Sequence, residues 1–328
     1  MYPDIAEHRV TSIDVARRAG VSQSTVSLVL SGKGRGRISA RTEEAVRRAA
    51  DELGYRTNVA ARALRTGAAR AVGLVVPDVT HPFFGGVLRG AQEVAWREGY
   101  AVVLADAGND RQWELASLAA LRALTVDGYL FFEVEPPSTE AVRAVSVETR
   151  SETFPVVRLD AGGGTRAAVQ HLLELGHTRI GHVASEVETD TFAMRLEAFD
   201  ELVGPTDLRV VSAFTLDAAR DAVAPLLDRA DRPTALFADD DILAAGVYIA
   251  ARERGLSVPG DLSVVGFDDL SLARLLEPPL TTVRADAQAL GAAAFEALLV
   301  LLRGEEPEPE RVVPVELVVR GSTAPPAA

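Results

Sequence analysis

From Ala71 onward, short apolar runs alternate with stretches of helical periodicity, and this alternation constrains the fold more than any other feature of the chain. Candidate strands are Val72–Val76, Ala101–Leu104, Gly128–Phe132, Val156–Leu159, Ile180–Ala184, Val210–Phe214, Ala235–Ala238, Ser263–Phe267 and Val312–Val319. Apolar runs of this length, separated by helices, predict parallel sheets covered by helices on both faces. That many strands overfill one twisted sheet, so two lobes are expected. In open α/β sheets, ligands sit outside the carboxyl ends of the strands. The residues that follow these runs include Asp78, His81, Asp106, Glu133, Asp160, Ser185, Phe214, Asp239, Asp240, Asp268 and Asp269. Carboxylates accept pairs of hydroxyl hydrogens and flat rings stack on apolar sugar faces, so a sugar or polyol suits such a ring. Taken singly, each Asp is more often a turn or helix-cap residue than a ligand contact.

A different pattern precedes this region, between Thr11 and Leu64. Thr11 with Asp14 three residues on is an acidic variant of the capping box. Ile13, Ala16 and Ala19 recur behind it at helical spacing, and Ala19-Gly20-Val21 supplies a tight turn. Ser22 is placed to cap a second helix, Gln23 to Leu30, with Val26, Val29 and Leu30 on one face and Gln23, Ser24, Ser27 and Ser31 largely on the other. A third helix starts near Ser39, turns Val46, Ala49, Ala50 and Leu53 inward, and stops at Gly54. Two short helices around a Gly turn, the second polar on its outer face, fit a helix-turn-helix. Ser and Gln both donate and accept hydrogen bonds, as base edges in the major groove require. The plain alternative is a small helical bundle with a solvated polar face. Asn58 then begins VAARALR, a good helix former too short to stand alone and suited to folding on binding.

The pattern TSIDVARRAGVSQSTVS resembles the DNA-binding headpiece of the lac-repressor/galactose-repressor family of bacterial transcriptional regulators. The resemblance resumes at ELGYRTNVAARALRTG, similar to the family's hinge helix, and at VGLVVPDVTHPFF, where its ligand-binding core begins. HLLELGHTRIGHVA, MRLEAF, DDDILAAG, VPGDLSVVGFDD, PPLTTVR and ELVVRGST carry it along nearly the whole chain, in order.

The resemblance implies an α/β protein: an N-terminal helix-turn-helix headpiece over residues 1–57, a hinge helix and linker over 58–70, and a two-lobed periplasmic-binding-protein-like core of doubly wound parallel sheets over 71–328. Its N-lobe is expected over about 71–158 and 286–313, its C-lobe over about 159–285, and a C-terminal strand region over 314–322. Crossings between lobes are expected near Arg158–Asp160, Val283–Asp286 and Val313–Val315. By position, the expected DNA-binding residues are Thr11, Ser22, Gln23, Ser24, Thr25, Ser27, Leu28, Ser31, Asn58, Ala61 and Leu64, with Leu64 as an apolar wedge in the minor groove. The expected effector pocket holds His81, Asp160, Arg195, Phe214, Asp240 and Asp268. Four positions depart from the family pattern. Thr57 stands where proline is common before the asparagine. Leu28 stands where many members have an arginine, His81 where they often have asparagine, and Asp239 where asparagine usually precedes Asp240. The expected partners are double-stranded operator DNA, a small-molecule effector such as a sugar, and a second copy of the chain, with no membrane and no cofactor.

Charge supports a DNA partner despite a net of −13. Residues 1–69 hold 12 Arg and Lys against 7 Asp and Glu, a net of +5, whereas residues 70–328 hold 22 against 40, a net of −18. A basic head on an acidic body confines phosphate attraction to the head. The absence of cysteine excludes disulfides and thiolate chemistry and fits a cytoplasmic location. MYPDIAEHR lacks the apolar region of a signal peptide, which argues against a solute-binding receptor of the same fold. No HExxH or GxSxG is present, and His171, His177 and His182 lack metal spacing, which argues against a sugar-processing enzyme.

Overall fold

The computed structural model describes residues 10–30, 36–55, 69–108, 111–124, 126–134 and 142–327, and the chain divides into two compact units, Met1–Ala69 and Arg70–Ala328. In the first unit, α1 (Ser12–Ala19), α2 (Gln23–Leu30) and α3 (Ala40–Glu52) enclose a small core. Gly20 takes the left-handed conformation at φ 67° that the turn between α1 and α2 needs. Val15, Ala16, Val26, Val29, Val46, Ala49 and Ala50 are buried, with Leu30 and Leu53 packed against them. Ile13 is the exception to the expected face, at 53% exposure. A spacing of three residues drifts about 60° per step around an α-helix, so Ile13 and Ala19 cannot share a face, and Val15 takes the inward place.

The second unit holds two sheets of six strands each. In the first sheet, the strands are β1 (Ala71–Val76), β2 (Ala101–Asp106), β3 (Gly128–Phe132), β4 (Ala144–Val147), β5 (Val156–Leu159) and β11 (Glu310–Val313), in the order β11-β5-β4-β3-β1-β2 and all parallel. The second sheet contains β6 (Ile180–Ser185), β7 (Arg209–Ser212), β8 (Ala235–Ala238), β9 (Ser263–Asp268), β10 (Thr281–Ala285) and β12 (Val315–Val318), in the order β12-β10-β9-β8-β6-β7. Among the described residues, only the β10–β12 pair is antiparallel. Helices α4 (Pro82–Glu98), α5 (Arg111–Ala123) and α10 (Ala287–Leu302) cover the first sheet, while α6 (Ala161–Glu174), α7 (Asp190–Val203), α8 (Leu216–Leu227) and α9 (Asp241–Glu253) cover the second. Strands walled on both faces lose nearly all exposure, as in β3, β4 and β8.

The chain passes from the first sheet to the second after β5, returns after β10, and passes again at Pro314 between β11 and β12. One expected strand divides, and two observed strands are not among those expected. Val312–Val319 is two strands in different sheets, because Pro314 has no N–H to continue a ladder. The expected strands omit β4, which is only AVSV, with Ser146 fully buried and its hydroxyl spent on Thr149 O at 2.8 Å. They also omit β10, where Thr281 and Thr282 look polar but are fully buried, Thr282 Oγ1 donating to Asp241 Oδ1 at 2.6 Å.

Candidate functional site

On the headpiece, Ser22 caps α2 by accepting from Thr25 N at 3.2 Å, and its hydroxyl lies 2.7 Å from Ser24 Oγ and 2.8 Å from Thr25 Oγ1. Gln23 Nε2 donates to Ser12 Oγ at 2.9 Å, tying α2 to α1. The Asp14 carboxylate accepts from both the N–H and the hydroxyl of Thr11, at 2.9 and 2.7 Å. Thr11, Ser22, Gln23 and Ser24 are exposed, and Thr25, Ser27 and Leu28 are partly so. This places one polar strip along the outer face of α2. Ser31, Asn58, Ala61 and Leu64 lie outside the described residues.

In the core, the strand order reverses direction around β1 in the first sheet and around β6 in the second, and a cavity of about 250 Å³ opens beyond those strand ends. Both lobes line it. His81, between β1 and α4, precedes Pro82 and caps α4, its Nδ1 accepting from Phe83 N at 3.4 Å. Nε2 is then the protonated nitrogen and donates across the cleft to Asp240 Oδ2 at 3.0 Å. The imidazole edge meets Phe84 of its own lobe at 5.8 Å and Phe214 of the other at 5.6 Å. Asp240 caps α9 through Ile242 N with its second oxygen.

Asp268 sits at the end of β9 with φ 102°. Burial, and next the negative charge of Asp240 to which it hydrogen-bonds, push its carboxyl well above the usual carboxylate range. That shift favours the protonated form of Asp268, which can then donate to the Asp240 carboxyl. His81, Asp240 and Asp268 offer ligand atoms within 4.8 Å of one another, a donor set of the type that holds a divalent cation. Here Asp240 already hydrogen-bonds His81 Nε2 and Ile242 N, so a cation would have to displace the His81 contact.

Arg195 on α7 is 5% exposed, with its guanidinium 3.7 Å from the centre of the Phe267 ring and 4.9 Å from that of Phe192. It donates to the backbone oxygen of Asp239, and its Nε has no partner. The Asp239 side chain turns away toward His182 Nε2 at 2.8 Å and Ser185 N at 3.0 Å. Burial alone would raise the Asp239 pKa, but the His182 ring and the Arg195 charge outweigh it and hold the carboxyl below its ordinary value. His182 and Asp239 form a buried pair, which accounts for an Asp where the family pattern has Asn.

Five of the six expected pocket residues line this cavity: His81, Arg195, Phe214, Asp240 and Asp268. Asp160 does not. Its carboxylate is exposed and caps α6, accepting from Gly163 N at 3.0 Å, because the chain leaves β5 at that point to begin a helix. Among the further lining residues that the expected pocket set lacked are two acids, Glu133, itself one of the strand-end residues, and Glu148, which follow β3 and β4. Glu148 follows the unrecognised strand, so only recognition of β4 would have pointed to it. Its Oε1 accepts from Leu159 N at 2.5 Å, while Oε2 has no partner.

Burial, and next the charge of Glu148, push Glu133 up to about 8, and burial pushes Glu148 up to about 7. The folded core thus keeps a proton on Glu148 that an unfolded chain releases near the ordinary value of 4.5, so this group's stabilising share is full below 4.5 and is lost as pH rises to about 7. At pH 8, Glu148→Gln is expected to be more stable than the parent by about 3 kcal/mol, and at pH 4 nearly equal. Urea melts at the two values check this, and a difference independent of pH would refute it.

The periplasmic binding protein-like domain model matches residues 169–323, and the model for bacterial regulatory proteins of the lacI family matches residues 12–58. HTH-type transcriptional regulator DegA of Bacillus subtilis is 34% identical over 97% of this chain and 99% of its own length. This chain belongs to the lacI family. Among solved lacI-family structures, the lac repressor dimer bound to operator and the anti-inducer ONPF superposes with a TM-score of 0.86, at 27% identity over 96% of this chain and 99% of that one. The complex of the transcriptional regulator CelR with cellobiose superposes at 0.71, with 31% identity over 96% and 100%. Like its lacI-family relatives, this protein is a DNA-binding transcriptional regulator with a headpiece and a two-sheet α/β core. No helix among the described residues is long and apolar enough to cross a membrane.

Proposed function

We propose that this protein is a cytoplasmic, homodimeric, non-enzymatic repressor whose affinity for operator DNA is set by a sugar or related polyol bound between the two lobes of its core. One observation carries the reading: the His81–Asp240 hydrogen bond joins the lobes across a cavity lined by rings and carboxyls. A ligand that competes for Asp240 changes what holds the lobes together, and differential affinity for two lobe arrangements is what an allosteric effector requires. Solved relatives support the DNA and ligand halves, since one is a repressor dimer on operator and another holds cellobiose.

In this reading, Ser22, Gln23, Ser24, Thr25, Ser27, Leu28 and Ser31 face the major groove, with Leu28 meeting a thymine methyl instead of a guanine edge. Thr11 meets a phosphate. Asn58, Ala61 and Leu64 belong to hinge segments in the central minor groove, where two Leu64 side chains part a base step. Leu64→Ala is expected to weaken specific binding far more than non-specific binding, and equal losses in an anisotropy titration would remove the wedge.

Residues 70–328 alone test the division of labour. They are expected to remain folded and to show the same ligand-induced rise in melting temperature as the whole chain, while losing operator binding. A truncated core that fails to fold, or that still binds operator, contradicts the assignment.

A further inference from the structure

Among the described residues, seven carboxyl groups line the interlobe cavity against one guanidinium, that of Arg195. Asp239 is spent on His182 and Ser185, and Asp240 on His81 and Ile242. Glu133 and Glu148 are different. They lie beside each other, because β3 and β4 pair with Phe132 opposite Val147 and Glu133 N donates to Val147 O at 2.9 Å. Both adopt left-handed backbone, at φ 50° and 61°, which costs a non-glycine residue about 1–3 kcal/mol and persists where surrounding structure enforces it. That backbone delivers two neighbouring acids to the cavity wall. Glu148 is 2% exposed, and among the described residues its Oε2 has no hydrogen-bond partner.

A buried carboxylate beside a second one, offset only in part by the Arg195 charge and the Leu159 N–H, is expensive unless a proton or a further cation joins them. A neutral polyol supplies hydroxyl hydrogens but no charge. The rings of Phe84, Phe132, Phe192 and Phe214 form part of the same cavity, and aromatic faces attract organic cations. We infer that the effector of this protein is a sugar or polyol bearing a positively charged amine, seated against Glu133 and Glu148. The inference rests on the effector reading of the cavity and narrows it. When the ammonium enters, it takes the place of the proton that the two acids otherwise hold, so binding releases protons to solvent.

The test uses the full-length protein and matched probes that differ only in the amine: glucosamine with glucose, galactosamine with galactose, and 1-amino-1-deoxyglucitol with glucitol. Thermal shift ranks them, and calorimetry in two buffers of different ionisation heat gives affinity and proton release. At least one amine is expected to bind tenfold or more tightly than its neutral partner, with release of protons. Glu148→Gln and Glu133→Gln are each expected to reduce the amine's affinity at least tenfold while sparing a neutral ligand. Equal binding, preference for the neutral member, or no response to any amine overturns the inference. In the first two cases the effector reading stands without the amine. If sugars, polyols, nucleosides and amines all fail to bind, the effector reading falls with it.

Discussion

Arg195→Ala is expected to lower effector affinity about 100-fold and to abolish the ligand's effect on operator binding. The guanidinium is the one buried cation among the described residues of the cavity, held between Phe267 and Phe192 with an Nε that has no protein partner. A lost hydrogen bond to a charged group inside such a site costs about 1.5–3 kcal/mol, and 1.4 kcal/mol is a factor of ten. The headpiece is a separate compact unit, so a cooperative urea melt of residues 70–328 carrying the substitution, beside operator binding, checks that the core remains folded. Arg195→Lys keeps the charge but loses the planar fork, and an intermediate affinity is expected. Calorimetry with any ligand that binds the parent provides the measurement. An Arg195→Ala variant that still responds would remove Arg195 from the site.

The second large effect concerns stability. Asp239→Ala strips the partner from His182, which is fully buried in β6 and stacked on Phe199 at 4.7 Å. Breaking one side of a buried pair costs about 3–5 kcal/mol. The sign of the pH dependence follows from the depressed Asp239 pKa. Its contribution is full above the ordinary value of 3.8 and is lost as pH falls through the lower folded value. The penalty of Asp239→Ala is therefore expected in full at pH 7 and to shrink in strong acid. Asp239→Asn, which restores the family's usual residue, keeps an acceptor for His182 and is expected to lose less. Chemical denaturation of residues 70–328 checks both variants, and wild-type stability in Asp239→Ala would show that the pair contributes nothing.

Much of this fold was legible in the sequence because strands walled on both sides are written as plain apolar runs. Val72–Val76 and Gly128–Phe132 differ from the observed strands by one residue or none. What escaped has physical causes. The polar letters of β10 hide a buried strand whose threonines satisfy Asp241 and Ser322, and β4 is too short to announce itself. In the cavity, strand ends and family positions together pointed to His81, Arg195, Phe214, Asp240 and Asp268. Asp160 shows the limit of that reasoning, since the end of a strand that feeds directly into a helix needs a cap more than a ligand contact. Glu133 stands among the strand-end residues but carries no family position, whereas Glu148 follows β4, the strand too short to announce itself. The tie between His81 and Asp240 depends on how two lobes meet, and their separation of 159 residues hides it.

The central claim, that ligand in the interlobe cavity sets operator affinity, is tested most directly by selecting bound sequences from a random duplex pool and titrating the winner. Fluorescence anisotropy on that duplex, with and without a ligand known to bind residues 70–328, gives the coupling. The account predicts a near-palindromic site bound with steep salt dependence, and an affinity change of tenfold or more on adding ligand that is lost in Arg195→Ala. A selected site whose affinity is indifferent to a cavity-bound ligand, or a pool from which no sequence is enriched, would contradict it.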